Sequence, residues 1–396
     1  MAGALRDRTK ALFATAAGSL DSQALVPVIG LYALALGADL LWVGIIVGAY
    51  SLVHAPANVA FGHLVDRFGR KRTLMVGLLA DAGSLVLYGL ARNPLELLAA
   101  RLLHGLGGGL VGPASMSIVA GSAAPGRGGR TMALYGISLG ISVLVGFGLA
   151  GALVLTSHDT RTAVPRLTFL LAATALSGVL AAATLRSEGA AAGARRSPAS
   201  SLLRSREVLG GLLLMLVLYL SIGAFVTLYP AHMRALLGTG ADRAVVFSFI
   251  AFALTSVAFH YPGGILADRR GPHLSALVGL GALGTGFLLI PVLGPAPGGL
   301  VAMGLLGLGH AFLFPSASAA VSAAAPKDGL GRATGLLYAC LAAGAAVGAP
   351  LMAAVAGVLG IPTALALTAV FVLPGLVGVR TIWRGAGNIA GGKGTK

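Results

Sequence analysis

The sequence predicts an all-α membrane protein of twelve transmembrane helices, arranged as two pseudo-symmetric six-helix bundles. Three observations predict it: an apolar composition, twelve long apolar runs, and an internal repeat. Of the 396 residues, 57% are hydrophobic and 10% are charged, and the mean hydropathy is +0.90. A soluble domain has about 25% charged residues. This chain cannot cover itself with polar groups, so we expect it to lie in a bilayer.

The net charge of +16 would also suit a nucleic-acid-binding protein. Such a protein collects Lys and Arg on one polar face beside stacking aromatic rings. Here the basic residues lie in short loops between apolar runs, which is typical of loops that face an anionic leaflet. Cys340 is the only cysteine, so neither an intramolecular disulfide nor a thiolate metal site can form. No nucleic-acid partner, metal or cofactor is expected.

Twelve runs have about the 20 apolar residues that a membrane-spanning helix needs. The first follows a basic N-terminus and continues to about Gly37 without a small-residue cleavage site, so we expect a retained span rather than a signal peptide. The runs do not alternate in polarity, which argues against a β-barrel. They lie near residues 11–36, 40–61, 73–91, 95–123, 131–156, 165–185, 208–231, 244–266, 273–293, 297–324, 333–358 and 361–383.

Loop charge predicts that both termini are cytoplasmic. With that orientation, 22 of the 28 Lys and Arg residues lie on the cytoplasmic side and five lie in outer loops. The polar stretch 186–207, rich in Ala, Ser, Gly and Arg, is predicted to be a flexible cytoplasmic linker. The expected domains are therefore bundles at 1–185 and 208–384, followed by a disordered tail at 385–396.

The two halves repeat with a shift of 202 residues. That shift carries Gly105, Gly107 and Pro113 onto Gly307, Gly309 and Pro315, and it carries Gly129-Arg130 onto Gly331-Arg332. Each half has an even number of spans, so both enter the membrane the same way up. Parallel repeats of this kind are a transporter arrangement.

A charged loop between spans 2 and 3 carries the clearest motif. In "GHLVDRFGRKR" an Asp stands between two glycines and a basic run follows, and "GGILADRRGPH" repeats the pattern between spans 8 and 9. The glycines permit a tight turn, and Asp66 can pair with Arg70 or cap the positive end of a neighbouring helix. The motif residues are Gly62, Asp66, Arg67, Gly69, Arg70 and Lys71, with Gly264, Asp268 and Arg269 in the second copy.

Over its whole length the chain resembles the major facilitator superfamily, whose signature this loop matches, and in particular the 12-span drug/proton antiporters. The resemblance implies alternating access around a central cavity lined by spans 1, 4, 7 and 10. It implies that the charged loop latches the cytoplasmic side when the cavity faces outward. It also implies a monomer in the cell (inner) membrane that needs no cofactor.

Asp21 lies about ten residues into span 1, or about 15 Å deep. A carboxyl at the centre of a bilayer costs about 2.5–3.5 kcal/mol, so such a residue usually faces a wet cavity or a partner. Drug/proton exporters often carry an acid in span 1. We therefore expect Asp21 to exchange a proton for substrate; the alternative is a protonated or hydrogen-bonded structural acid.

Arg101 lies in span 4, in "RLLHG", which resembles the span-4 motif of proton-driven members with His104 where Gln is common. A guanidinium keeps its charge, so its distance from Asp21 would tune proton binding. Alternatively, it is the counter-charge of a structural acid. Asp81 in span 3 is a second candidate proton carrier, or a structural acid bonded to Ser84 or a neighbouring helix. Two buried acids and one Arg leave a net charge unless one acid is protonated.

Other polar and aromatic residues in the spans are possible cavity residues, and each could instead be packing. Three GxGxxG matches lie inside apolar spans and indicate helix packing rather than nucleotide binding. The possible cavity residues are Gln23, Tyr32, Asn58, His104, Tyr135, Tyr219, Tyr229, His310 and Phe314.

The function expected from these features is proton-coupled export of small amphipathic or cationic compounds, with no enzymatic activity. The partners are then a small-molecule substrate, protons and the lipid bilayer. Spans 7 and 10 carry almost no charged or amide side chains, which favours an apolar or cationic substrate. The alternatives are a proton-linked importer or uniporter of a metabolite, a lipid flippase, and a transporter-like sensor.

Overall fold

The computed structural model describes residues 2–26, 28–156, 160–186, 202–238, 241–294 and 298–383. Within these ranges the regular structure is helical. Most of the expected linker and the expected tail at 385–396 lie outside the described residues. The α-helices are α1 Ala2–Leu25, α2 Ile29–Ala35, α3 Leu40–Phe68, α4 Arg70–Leu90, α5 Pro94–Gly121, α6 Gly128–Thr156, α7 Thr160–Ala183, α8 Arg206–Leu237, α9 Ala241–Arg270, α10 Pro272–Leu293, α11 Gly299–Ala324, α12 Leu330–Leu359, α13 Ile361–Leu367 and α14 Val372–Gly378.

The number of membrane spans agrees with the sequence. In the described part of the chain, eleven helical stretches are long and apolar enough to cross a membrane, and the bent pair α1 and α2 would make a twelfth. The last span is a composite of α13, a 3₁₀ turn at Thr368–Phe371 and α14. All-α architecture and eleven to twelve apolar spans confirm the predicted fold class.

The chain divides into two compact units. Unit 1 comprises Met1–Ser122, Ser138–Arg196 and Lys327–Ala339, and therefore includes the first turns of α12. Unit 2 comprises Ala123–Ile137, Ser197–Pro326 and Cys340–Lys396, and includes the first turns of α6.

Apolar side chains cover both the interior and the outside of the helices. In unit 1 a buried core collects Tyr32, Ile46, Leu85 and Tyr88 from α2, α3 and α4. Outward-facing Leu52 is 75% exposed, as expected of a surface solvated by lipid rather than water.

Glycine lies opposite a large ring in each unit. In unit 1, Gly112 of α5 lies against the Tyr338 ring of α12, where a Cβ would come within 2.7 Å of it. At the corresponding positions of unit 2, Phe314 lies on α11 and Gly136 on α6, and a Cβ at Gly136 would come within 3.2 Å of the Phe314 ring. The repeat shift pairs Gly112 with Phe314 and Gly136 with Tyr338. The ring therefore comes from one helix of the pair in unit 1 and from the other helix of the pair in unit 2.

Candidate functional site

A buried acid and a buried histidine pair inside unit 1. Asp21, in the last turns of α1, and His104 of α5 are each 1% exposed, and His104 Nε2 lies 3.2 Å from Asp21 Oδ2. The other carboxyl oxygen accepts the backbone N–H of Ser22. Because an ionised carboxylate only accepts, Nε2 donates this bond.

The hydrogen bonds continue from His104 to Arg101. With Nε2 as donor, Nδ1 of the neutral ring accepts from Tyr88 Oη at 3.3 Å. The Tyr88 oxygen in turn accepts from Arg101 Nη1 at 3.5 Å. Arg101 and His104 reach Tyr88 together because they lie three residues apart on α5. These four residues, the Asp21–Arg101 line, connect α1, α4 and α5.

Aromatic rings surround the cationic end of this line. The Arg101 guanidinium carbon lies 5.0 Å from the Tyr50 ring centroid, within cation–π range, and the side chain is 5% exposed. Tyr50 also meets His104 edge to face at 5.0 Å and stacks on His54 at 4.9 Å. The charge of Arg101 therefore lies over the ring face of Tyr50 and beside the hydroxyl of Tyr88.

Asp81 of α4 is buried, and neither carboxyl oxygen has a hydrogen-bond partner among the described residues. Ser84, one of its two expected partners, instead donates to the Ala80 carbonyl at 2.7 Å. The carboxyl points at Gly107 of α5, where it occupies the space that a Cβ would need. Asp81 is thus a buried acid that no donor from the described residues stabilises.

The first charged motif caps a distant helix within unit 1. Asp66 accepts from the backbone N–H groups of Gly331 and Arg332 at 2.7 and 3.0 Å, and from Arg332 Nε at 2.9 Å. These amides lie in the first turn of α12, where a carboxylate is favoured by free N–H groups and by the helix dipole. Asp66 therefore caps a helix end, which is one of the two partners considered from sequence.

The second motif repeats this geometry in unit 2. Asp268 accepts from the backbone of Gly129 and Arg130 at 2.6 and 3.2 Å, and from Arg130 Nε at 2.7 Å. The two aspartate side chains are 6% and 5% exposed. The same three bonds form in both repeats.

The remaining motif residues lie at the helix ends next to these caps. Gly69 and Gly271 have φ of +90° and +88°, a conformation that favours glycine, and each ends one helix and begins the next. Lys71 Nζ donates to the carbonyls of Ala183 and Leu185 at 2.6 and 2.7 Å and caps the C-terminus of α7. Arg70 lies against Gly121. Arg67 and Arg269 are exposed.

The other possible cavity residues have separate partners in the two units. The Tyr32 hydroxyl donates to the carbonyls of Tyr88 and Ala91 at 3.1 and 3.2 Å. Asn58 donates to the His54 carbonyl at 2.8 Å. Gln23 lies against Gly146, and Tyr229 bonds Ser248 at 2.6 Å. In unit 2, aromatic contacts bring together Tyr135, Tyr219, His310 and Phe314.

Sequence reasoning missed Tyr50 and Tyr88. A tyrosine in an apolar span is ordinary, so neither stood out alone. A usable signal existed: Tyr88 lies seven residues after Asp81, on the same face of α4. Arg332 and Arg130 were noted only as repeated residues, although their place after a repeated glycine marked the caps. Among the described residues, no group of three or more His, Cys, Asp or Glu could hold a metal ion.

The sequence model of the Major Facilitator Superfamily matches residues 11–302 and, in a second match, 211–395. A multidrug resistance protein B homolog of Mycobacterium tuberculosis is 37% identical over 105 residues, which are 26% of this chain and 19% of that protein. The chain therefore aligns with only about a fifth of that relative's length.

Solved structures are similar over nearly the whole chain. The human organic anion transporter MFSD10 (TETRAN) has a TM-score of 0.75 at 20% identity, covering 95% of this chain and 99% of that one. The proton:xylose symporter XylE, bound to 6-bromo-6-deoxy-D-glucose, has a TM-score of 0.79 at 14% identity, covering 97% and 96%. At these identities the likeness concerns the fold.

Proposed function

Because this chain belongs to the major facilitator superfamily, whose members are multi-pass membrane transporters rather than enzymes, we propose that it exports small amphipathic or cationic compounds in exchange for protons. The proposal rests on one observation above all. Asp21 is a fully buried carboxyl whose hydrogen-bond partner, His104, can itself hold a proton.

Asp21 can bind either a proton or a cation. When ionised, it holds the N–H of His104 and balances a positive charge nearby. A substrate cation that reaches Asp21 replaces a proton there, because one carboxylate neutralises one charge. Because the proton and the substrate cation compete for one acid, the movement of protons is coupled to the movement of substrate without a cofactor.

The charges of the buried cluster balance if Asp81 is neutral. Arg101 is positive, Asp21 is negative when ionised, and Asp81 has no donor within hydrogen-bond distance among the described residues. An ionised carboxyl there would cost far more free energy than a protonated one. Asp81 therefore stays protonated while Asp21 is the acid that exchanges.

Arg101 sets how strongly Asp21 holds its proton. Among the described residues, the hydrogen bonds that connect Arg101 to Asp21 run through Tyr88 and His104. A helix shift that brings the guanidinium closer favours the ionised acid, and one that moves it away favours the protonated acid. Asp66 and Asp268 act at the cytoplasmic side, where breaking three bonds in each unit frees the first turns of α12 and α6.

The name of the relative from Mycobacterium tuberculosis supports drug export. The chain's own cluster supports a cationic substrate, since its one exchangeable charge is an acid. We further propose that the protein is a monomer in the cell membrane with both termini in the cytoplasm.

The decisive variant is Asp21→Asn in proteoliposomes. Wild-type protein should move the lipophilic cation tetraphenylphosphonium against a concentration gradient when a pH gradient is imposed, and Asp21→Asn should lose this movement. Asp7→Asn, an acid near the start of the same helix, is the matched control and should retain it. Unchanged transport by Asp21→Asn would remove Asp21 as the coupling site. Proton-driven uptake of xylose instead of tetraphenylphosphonium would favour the importer.

A further inference from the structure

Unit 2 contains a pair of histidines that the proposed mechanism does not use. His260 of α9 and His310 of α11 have ring centroids 5.2 Å apart, and Ser256 joins them. His260 Nδ1 lies 2.6 Å from the Ser256 carbonyl, and Ser256 Oγ lies 2.9 Å from His310 Nδ1. A carbonyl only accepts, so Nδ1 of His260 carries the hydrogen, and in the neutral ring Nε2 carries a lone pair.

The lone-pair edge of His260 is pressed against α6. The side chain is fully buried, and Nε2 has no hydrogen-bond partner among the described residues. The edge formed by Nε2 and Cδ2 fills the space that a Cβ at Gly136 would need. A hydrogen added to Nε2 would therefore meet helix backbone and find no acceptor. This contact between α6 and α9 fits the neutral ring only.

Nothing described near the pair would neutralise a proton. Facing it are rings: Phe314 at 6.0 Å from His260, and Phe252 and Tyr219 at 5.9 and 6.2 Å from His310. The facing titratable groups are Tyr219 of α8 and, behind Phe314, Tyr135 of α6. Tyr261, the next residue of α9, is 43% exposed. In the described residues of unit 2, the other charged or titratable groups of the packed helices lie farther from His260 along the chain: Arg130 on α6; Arg206, Glu207, Tyr229, His232 and Arg234 on α8; Asp268, Arg269 and Arg270 on α9; and His273 on α10.

We propose that His260 and His310 form a second proton-binding site, separate from Asp21, and that a proton bound at His260 opens the contact between α6 and α9. When α6 moves away, water reaches Nε2 and the lone pair takes a proton from it. The charged ring then cannot return against Gly136. Low pH therefore favours the open contact and high pH favours the closed one.

The repeat limits this response to one unit. The shift of 202 residues pairs His260 with Asn58, which lies on α3 beside the first turns of α12. An amide does not titrate between pH 5 and 8, where an imidazole does. His260 also lies eight residues, or about 12 Å, from Asp268 on α9. The proton thus acts on the same helix pair that the Asp268 cap holds.

The test measures the separation of α6 and α9 in the full-length protein. Spin labels are placed on exposed Arg127→Cys and Arg270→Cys in a Cys340→Ser background, and their distance is read by electron paramagnetic resonance at pH 8 and pH 5.5. A longer-distance population should appear at pH 5.5. His260→Asn introduces the residue found at the equivalent position of the other repeat, Asn58, and should abolish that change. His260→Gln replaces it if the Asn variant does not fold.

Two controls separate this inference from the proposed function. His232→Asn removes another buried histidine of unit 2 and should leave the response intact. Asp21→Asn should also leave it intact, whatever it does to transport. A distance that is independent of pH in the wild type, or a response that survives in both His260 variants, would overturn the proposal. A response lost in Asp21→Asn would assign it to the Asp21 site instead.

Discussion

His104 differs from Asp21 and Arg101 because its neutral ring has one nitrogen that donates and one that accepts. Its Nε2 bonds Asp21 and its Nδ1 bonds Tyr88, so it is the residue through which the acid and the guanidinium communicate. Glutamine, common at this place in the motif, could donate to Asp21 but could not take up a proton. The imidazole therefore adds a titrating group to the site.

We expect His104→Gln to fold and to keep proton-driven transport, but with a changed pH profile. The variant loses the ring nitrogen that can take up a proton beside Asp21, because an amide cannot be protonated there. Tetraphenylphosphonium transport measured from pH 5.5 to 8 should be several-fold less pH-dependent in the variant. An unchanged profile would show that His104 only orients Asp21.

At the level of single residues, the sequence singled out the charged residues of the candidate site but not Tyr50 and Tyr88. Asp21, Asp81 and Arg101 stand out because a charge in an apolar run is costly. Ser84 lies one turn after Asp81 and could have bonded it, yet its hydroxyl donates to the Ala80 carbonyl of the same helix. Tyr88 joins the line only because α1, α4 and α5 pack at one level, which no local pattern records.

At the level of helices, Asp66 and Asp268 each join the last turn of one helix to the first turn of a helix far away in sequence. Only one of the three bonds of Asp66 involves the Arg332 side chain. The other two satisfy backbone N–H groups, which start every helix without partners. The cap and the ion pair can therefore be separated by mutation.

Asp66→Ala should lower the melting temperature more than Arg332→Ala does. Losing the aspartate deprives the buried Arg332 guanidinium of its carboxylate and leaves the N–H groups of Gly331 and Arg332 without that acceptor, about 3–5 kcal/mol. Losing the arginine leaves the two backbone bonds in place and should cost about 1–3 kcal/mol. Thermal unfolding of both single variants and the double variant in detergent gives the ranking. Equal losses would mean that the ion pair alone holds the contact.

The break between α3 and α4 was readable from the sequence, because a glycine followed by a basic run marks a turn. The identity of the capped helix was not: α12 begins more than 260 residues after Asp66, and only the packing of unit 1 brings them together. The same limit applies to α1 and α2, which the sequence presents as one run and the structure divides after Leu25.

At the level of the whole molecule, composition and the 202-residue repeat sufficed to predict the fold class. A bilayer allows few architectures, because backbone N–H and C=O groups in lipid must form hydrogen bonds within helices or closed barrels. The division into units was less accessible. Each unit takes in the first turns of one helix from the other half of the sequence, and in each unit an aspartate caps that helix.

Both termini should be shielded from the outside of the cell. In a Cys340→Ser background, Ala4→Cys and Thr395→Cys should react with a membrane-impermeant maleimide only after cells are permeabilised. Arg92→Cys, exposed between α4 and α5, should react in intact cells. Labelling of a terminus in intact cells, with Arg92→Cys protected, would reverse the orientation.

The exchange of large and small residues between the units constrains how the two halves can diverge. In unit 1 Gly112 packs against the Tyr338 ring, and in unit 2 Gly136 packs against the rings of His260 and Phe314. Copying one position from one half into the other would set ring against ring, or leave two glycines facing a void. Each pair can change only by compensated substitution, so a symmetrised ancestor built by averaging the halves position by position would not pack. Reconstructing the duplication that produced this chain requires treating these contacts, rather than single sites, as the inherited unit.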